Sequence, residues 1–135
     1  MIPVKTIMTA EVITVSPQTP IHDALNMLTT NAISGMPVVD DAQKLVGILT
    51  EKDVLQILLN GKVSPNAVVA DYMSRDVVSF KEDDSAVAVC EFFVKNPMRR
   101  VPIVRDGRVV GIVSRRDIVS LIMEAKSKLS NFRYA

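Results

Sequence analysis

Apolar positions recur along this chain with helical and strand periods in alternation, and the whole alternation is written twice. Ile21, Ala24, Leu25 and Leu28 fall at i, i+3, i+4 and i+7 behind Thr19-Pro20, which predicts an amphipathic helix with a proline at its start. Ala86, Val89, Cys90 and Phe93 repeat that stripe 65 residues later. Short runs of β-formers precede both helices, Val12-Ile13-Thr14-Val15 and Val77-Val78-Ser79-Phe80, and are predicted as strands. After the helices come Gly35-Met36-Pro37-Val38-Val39-Asp40 and Arg100-Val101-Pro102-Ile103-Val104-Arg105, strands in which proline is tolerated at a start or an edge. The turns Asp41-Ala42-Gln43-Lys44 and Asp106-Gly107-Arg108 lead into the strands Leu45–Leu49 and Val109–Val113, so both halves contain a hairpin. The second turn is one residue shorter, and the offset falls from 65 to 64 there. Closing helices follow, with Val54, Leu55, Ile57 and Leu58 matched by Ile118, Val119, Leu121 and Ile122. Even the opening stretch Val4–Thr9 is echoed by Val69–Ser74.

The order strand, helix, strand, strand, helix therefore occurs twice. The boundaries are a first repeat over 1–61 ending at Asn60-Gly61, a linker over 62–68, a second repeat over 69–123 and a helix extension or tail over 124–135. Neither half buries much apolar surface alone. The expected fold is α/β (α+β), two pseudo-symmetric β-α-β-β-α repeats packed sheet to sheet about a pseudo-twofold axis, with two related clefts that the repeated turns face. The tail carries Lys126, Lys128 and Arg133 among Leu129, Phe132 and Tyr134, and it either extends the last helix into a dimer contact or frays.

Where the second strand of each hairpin meets the closing helix, Thr50-Glu51-Lys52-Asp53 is matched by Ser114-Arg115-Arg116-Asp117. A hydroxyl residue three positions before an acidic one is the capping-box pattern of a helix start. The same turn also suits ligand binding, because free amides and the positive end of the helix dipole favour an anion and the aspartate can accept from ribose hydroxyls. The two readings are compatible.

Composition narrows the function classes. With 48% hydrophobic and 23% charged residues in 135, the chain has the makeup of a globular domain. Sixteen basic residues against 15 acidic ones, no Trp and two tyrosines, Tyr72 and Tyr134, argue against nucleic acid as a partner, although Arg99-Arg100 and Arg115-Arg116 are locally basic. One cysteine and one histidine exclude a disulfide framework and a Cys/His metal cluster within the chain. Cys90 takes the place of Leu25 on a buried stripe and reads as a core residue, while His22 lies on the polar side of its helix. Asp40-Asp41 and Asp83-Asp84 read as a turn and a helix start, so no metal ligands are assigned. The chain lacks a Ser-His or Cys-His arrangement and a Walker-type loop, and no catalytic residue is expected. No apolar run approaches the ~18 residues of a membrane span, and the start lacks a signal-peptide pattern, which makes the cytoplasm the expected location.

Taken together, the opening Val/Met element, the runs ending near Thr14 and Ser79, the strands at Pro37 and Pro102 and the two Gly-x-x-Thr/Ser-x-x-Asp segments resemble a tandem pair of cystathionine β-synthase (CBS) domains, the arrangement called a Bateman module. The resemblance runs from about Val4 to about Met123. It implies a non-enzymatic regulatory module that binds adenosine-containing molecules such as AMP, ADP, ATP, S-adenosylmethionine or NAD, with no catalytic cofactor. It also implies a homodimer forming a four-repeat disk, an effector protein that is regulated, and no membrane. Carried onto this sequence, one ligand set is Thr14, Gly35, Met36 and Pro37 with Ser114, Arg115, Arg116 and Asp117. The other is Ser79, Arg99, Arg100, Val101 and Pro102 with Thr50, Lys52 and Asp53. Hydroxyls and helix-start amides would take phosphate, the aspartates the ribose diol, and the main chain near the prolines the adenine edge. Gly35 permits close approach where Arg100 either crowds the ligand or pairs with phosphate, so Ser114 and Asp117 with the Gly35 strand are expected to form the stronger site. The alternative is a dimerisation or scaffold domain in which both turns are only helix caps.

Overall fold

The computed structural model describes residues 1–128. Its helices are α1 (Ile21–Thr30), α2 (Glu51–Asn60), α3 (Ala86–Lys95) and α4 (Arg115–Lys128). The strands are β1 (Gly35–Val39), β2 (Leu45–Thr50), β3 (Phe80–Lys81), β4 (Arg100–Arg105) and β5 (Arg108–Ser114). Short 3-10 turns occupy Val4–Thr6 and Val69–Asp71. The part of the tail beyond 128, with Leu129, Phe132, Arg133 and Tyr134, lies outside the described residues.

The chain forms two compact units. The first comprises Val12–Val78 with Asp106–Val109. In it β1 and β2 pair antiparallel, Gly35 opposite Thr50 and Pro37 opposite Ile48, with an irregular step between Val38 and Val39. Ile21, Ala24 and Leu28 of α1 form a core with Met36, Val38 and Leu49. Asp40 Oδ1 closes the hairpin by accepting from the main-chain N–H of Ala42 at 2.9 Å and of Lys44 at 3.0 Å. The second unit takes in Met1–Glu11, Ser79–Arg105 and the described residues from Val110 onward. Its sheet runs β3-β4-β5 with β3 parallel to β4, and its core joins Ala86, Val89 and Phe93 of α3 to Val101, Ile103, Val113 and Ile118. Asp106 and Gly107 in the β4–β5 connection have φ of 53° and 79°, the positive values that an Asp-Gly hairpin calls for.

Each opening stretch packs in the unit of the other sequence repeat. Val4, fully buried, joins the core of the second unit together with Ile7 and Met8, and Val69, equally buried, joins that of the first with Tyr72 and Met73. The two attachments match bond for bond. Val4 N–H donates to Asp84 O at 2.8 Å and Ala86 N–H to Ile2 O at 2.8 Å; Val69 N–H donates to Thr19 O at 2.9 Å and Ile21 N–H to Ala67 O at 3.0 Å. In the second unit a surface ion pair adds to the attachment, Lys5 reaching Asp83 at 2.9 Å, and beside it Arg105 forks onto Glu82 at 2.5 and 2.8 Å. Their partners raise the ammonium pKa of Lys5 and hold the carboxyl of Glu82 below its ordinary range, each chiefly through a side-chain hydrogen bond.

Two expectations change. Val12–Thr14 and Val77–Ser79 have no regular secondary structure; only Val15 bridges to Val38, and only Phe80–Lys81 pairs with β4. Ile13 is 37% exposed and Val78 42%, so these runs lay only their last residues onto a sheet. The closing helices also divide their apolar positions. Val54 and Ile57 pack against the core, whereas Leu55 is 60% exposed and Leu58 85%.

Candidate functional site

Both repeated turns are complete capping boxes. Thr50 leaves β2 extended and caps α2, its Oγ1 accepting from Asp53 N–H at 3.3 Å while Asp53 Oδ2 accepts from Thr50 N–H at 2.9 Å. Ser114 leaves β5 the same way, with Oγ accepting from Asp117 N–H at 3.2 Å and Asp117 Oδ2 accepting from Ser114 N–H at 2.8 Å. The first helical residue then ties each turn back to the segment before its proline strand: Glu51 N–H donates to Ser34 O and Arg115 N–H to Arg99 O, both at 2.9 Å. A cap of this kind contributes about 1 kcal/mol.

The aspartates differ in what remains open. Asp53 Oδ2 also accepts from Thr50 Oγ1 at 2.9 Å, and its Oδ1 accepts from Ser74 Oγ at 3.1 Å, so both oxygens are occupied. Asp117 uses Oδ2 alone; among the described residues its Oδ1 has no partner and the Ser114 hydroxyl hydrogen has no acceptor. Thr9 stands where Ser74 does in the other repeat, paired by main chain with Ile112 as Ser74 is with Ile48, but its hydroxyl does not reach Asp117. Ser74 is the site residue that sequence reading missed. The Met-Thr and Met-Ser echo of Met8-Thr9 and Met73-Ser74 was its signal.

On the strand side Met36 and Val101 are fully buried within their cores, as are Pro37 and Pro102, so these four offer a ligand main chain and not side chain. Thr14 and Ser79 are half-buried with hydroxyls that have no partner among the described residues. Lys52, Arg99 and Arg116 are exposed and likewise unpaired there. Arg100 is half-buried, and its Nε is the one buried side-chain nitrogen or oxygen without a hydrogen-bond partner among the described residues. Arg115 is differently placed. Its guanidinium donates to the carbonyls of Met98 at 2.9 Å, Asn96 at 2.7 Å and Phe93 at 3.2 Å, and lies 5.9 Å from the centre of the Phe93 ring. Among the described residues no group of acidic, histidine and cysteine side chains has the arrangement of a metal site, and no helix is long and apolar enough to cross a membrane. Cys90 packs half-buried against the core of the second unit, and His22 is exposed.

The profile of the CBS domain matches residues 4–60 and again 69–124. The chain belongs to the CBS domain family. As a CBS pair it is a regulatory module rather than a catalytic one. The CBS pair of protein MJ0100, solved in complex with 5′-methylthioadenosine and S-adenosyl-L-methionine, superposes with a TM-score of 0.80 at 32% identity, over 92% of this chain and 98% of that one. CBSX2 from Arabidopsis thaliana, solved with AMP, superposes with a TM-score of 0.82 at 27% identity, over 93% and 99%. Inosine-5′-monophosphate dehydrogenase of Methanocaldococcus jannaschii is 44% identical over 110 residues, 81% of this CBS chain but 21% of the dehydrogenase. Protein MJ1225 of the same organism is 36% identical over 120 residues, and the chain spans 42% of its length.

Proposed function

We propose that this CBS pair is a ligand sensor that takes an adenosine-containing molecule and passes its occupancy to a partner protein. The observation that carries this reading is the open valence of the second turn, Asp117 Oδ1 and the Ser114 hydroxyl hydrogen. A ribose diol supplies donors for the carboxylate oxygen, and a ligand phosphate accepts from the hydroxyl and the helix start. The ligands bound by MJ0100 and CBSX2, which share an adenosine unit, support the choice of class. The contacts proposed are those the family resemblance implies. Ser114 and Asp117 lead, and Asp53 ranks lower because Ser74 and Thr50 already occupy its carboxylate.

Titration calorimetry with AMP, ADP, ATP, S-adenosylmethionine and NAD tests the reading. The expected result is binding of at least one, weakened tenfold or more by Asp117→Ala and much less by Asp53→Ala, in variants shown to be folded by thermal unfolding. The complete capping boxes at both turns favour a second reading, a scaffold whose turns only start helices. Folded protein that binds none of the five compounds decides for it.

A further inference from the structure

Both first helices end on an asparagine whose Nδ2 donates back to a carbonyl of the last turn, Asn31 to Met27 O at 2.8 Å and Asn96 to Phe92 O at 3.0 Å, but beyond that shared cap they differ. Behind α1, Asn31 N–H donates to Met27 O at 3.1 Å and Ile33 N–H to Leu28 O at 3.1 Å, with Ala32 at φ 51°, so main chain completes the end of that helix. Behind α3, Asn96 is pushed into an extended conformation, φ −131° and ψ 148°, as a residue before proline is. Here the main-chain closure seen behind α1 is replaced by a side chain: the Arg115 guanidinium takes Phe93 O, Asn96 O and Met98 O together. A planar fork with several fixed N–H directions suits three carbonyls, and a cation suits the negative end of a helix. Position 51 of the first repeat holds Glu, an acceptor that cannot do this.

Arg115 is also the residue that follows Ser114 and lies two before Asp117, inside the turn whose valence is open. Its main-chain N–H holds Arg99 O while its side chain holds the three carbonyls, so both of its ends fasten the turn to the segment between α3 and β4. We infer that Arg115 is a positioning residue: it sets the Ser114–Asp117 turn in place for ligand by clamping it to the end of α3, and does not itself contact the ligand. The Thr50–Asp53 turn has no such clamp among the described residues and relies on Ser74 instead. This inference rests on the sensor reading and reassigns one of the residues that reading includes.

The test compares AMP with adenosine, which lacks the phosphate, on the full chain by calorimetry. Positioning acts on the whole turn, so Arg115→Gln weakens adenosine about tenfold, through the ribose contact of Asp117, and AMP at least as much. Arg115→Lys, which keeps the cation at the helix end but loses the fork, gives a smaller loss for both ligands and guards against a fold defect in the first variant. Loss of AMP affinity with adenosine unchanged makes Arg115 a phosphate contact and overturns the inference. Unchanged affinity for both in folded Arg115→Gln also overturns it, leaving a clamp that only stabilises. Failure of wild-type protein to bind adenosine or any of the five compounds sinks the sensor reading itself, and is seen before any variant is made; if another of the five binds in place of AMP, that compound is compared with adenosine instead.

Discussion

Arg100 stands at the start of β4 with a buried Nε that finds no partner among the described residues, whereas position 35, its counterpart, is a glycine with close neighbours. A Cβ at Gly35 would meet Leu49 O at 3.1 Å and Thr50 Cγ2 at 3.2 Å. A desolvated, unpartnered donor costs about 1–3 kcal/mol, more when charged. Arg100→Met keeps an unbranched apolar stem and removes that cost, so its thermal midpoint rises by a few degrees, the shift expected for about 1 kcal/mol in a chain of this size. A fall of several degrees in a scanning calorimeter would mean that the guanidinium is satisfied within the folded chain and that its charge is structural.

At the scale of elements, Gly47 in β2 and Gly111 in β5 let the exchanged opening segments lie against the sheets. A Cβ at Gly47 would come within 2.8 Å of Met73 Sδ and 2.9 Å of Ser74 O, and one at Gly111 would strike Met8 Sδ. Because Ser74 O belongs to main chain, Gly47→Ala forces the segment outward and lowers unfolding free energy by about 1–3 kcal/mol in urea. Met73→Ala in the same chain restores only part of that, and a neutral Gly47→Ala would show that the segment is not seated as described. The exchange was not legible in the sequence. Val4–Thr9 and Val69–Ser74 echo one another, so swapping them leaves the apolar pattern of both units unchanged. The helices α1 and α3 and the hairpins were legible, since their periodicity and Asp-Gly chemistry are local. The difference between Asp53 and Asp117 was not, because it depends on Ser74 and Thr9, which tertiary packing alone brings to the aspartates or withholds. Arg115 likewise reads as a free cation until the end of α3 is seen beside it.

For the molecule as a whole, the exposed apolar residues of the closing helices fall at matched positions of the two repeats. Leu55, Leu58 and Leu59 on α2 are 60%, 85% and 77% exposed, and Val119, Ile122 and Met123, 64 positions on in α4, are 58%, 37% and 60% exposed. The other helices do not repeat such a face. Val87 and Val94 on α3 are exposed, but His22 and Thr29 take their places on α1. A second copy of the chain presents the same faces, and twofold symmetry makes such a contact self-complementary. A stable contact of this kind removes roughly 1,200–2,000 Å² from water and concentrates its strength in a few central apolar residues. The family resemblance implies a homodimer, and α2 and α4 each have a face exposed for one, so the wild-type chain is expected to sediment at twice its own mass at micromolar concentration. Leu58→Glu places a charge on the most exposed of these positions; it costs the folded monomer little, since the side chain already faces water, but must be desolvated in the dimer. Sedimentation of that variant at monomer mass with an unchanged thermal profile places the contact at α2. If Leu58→Glu remains dimeric while Val94→Glu does not, the contact runs through α3, and the exposed leucines of α2 have no part in it.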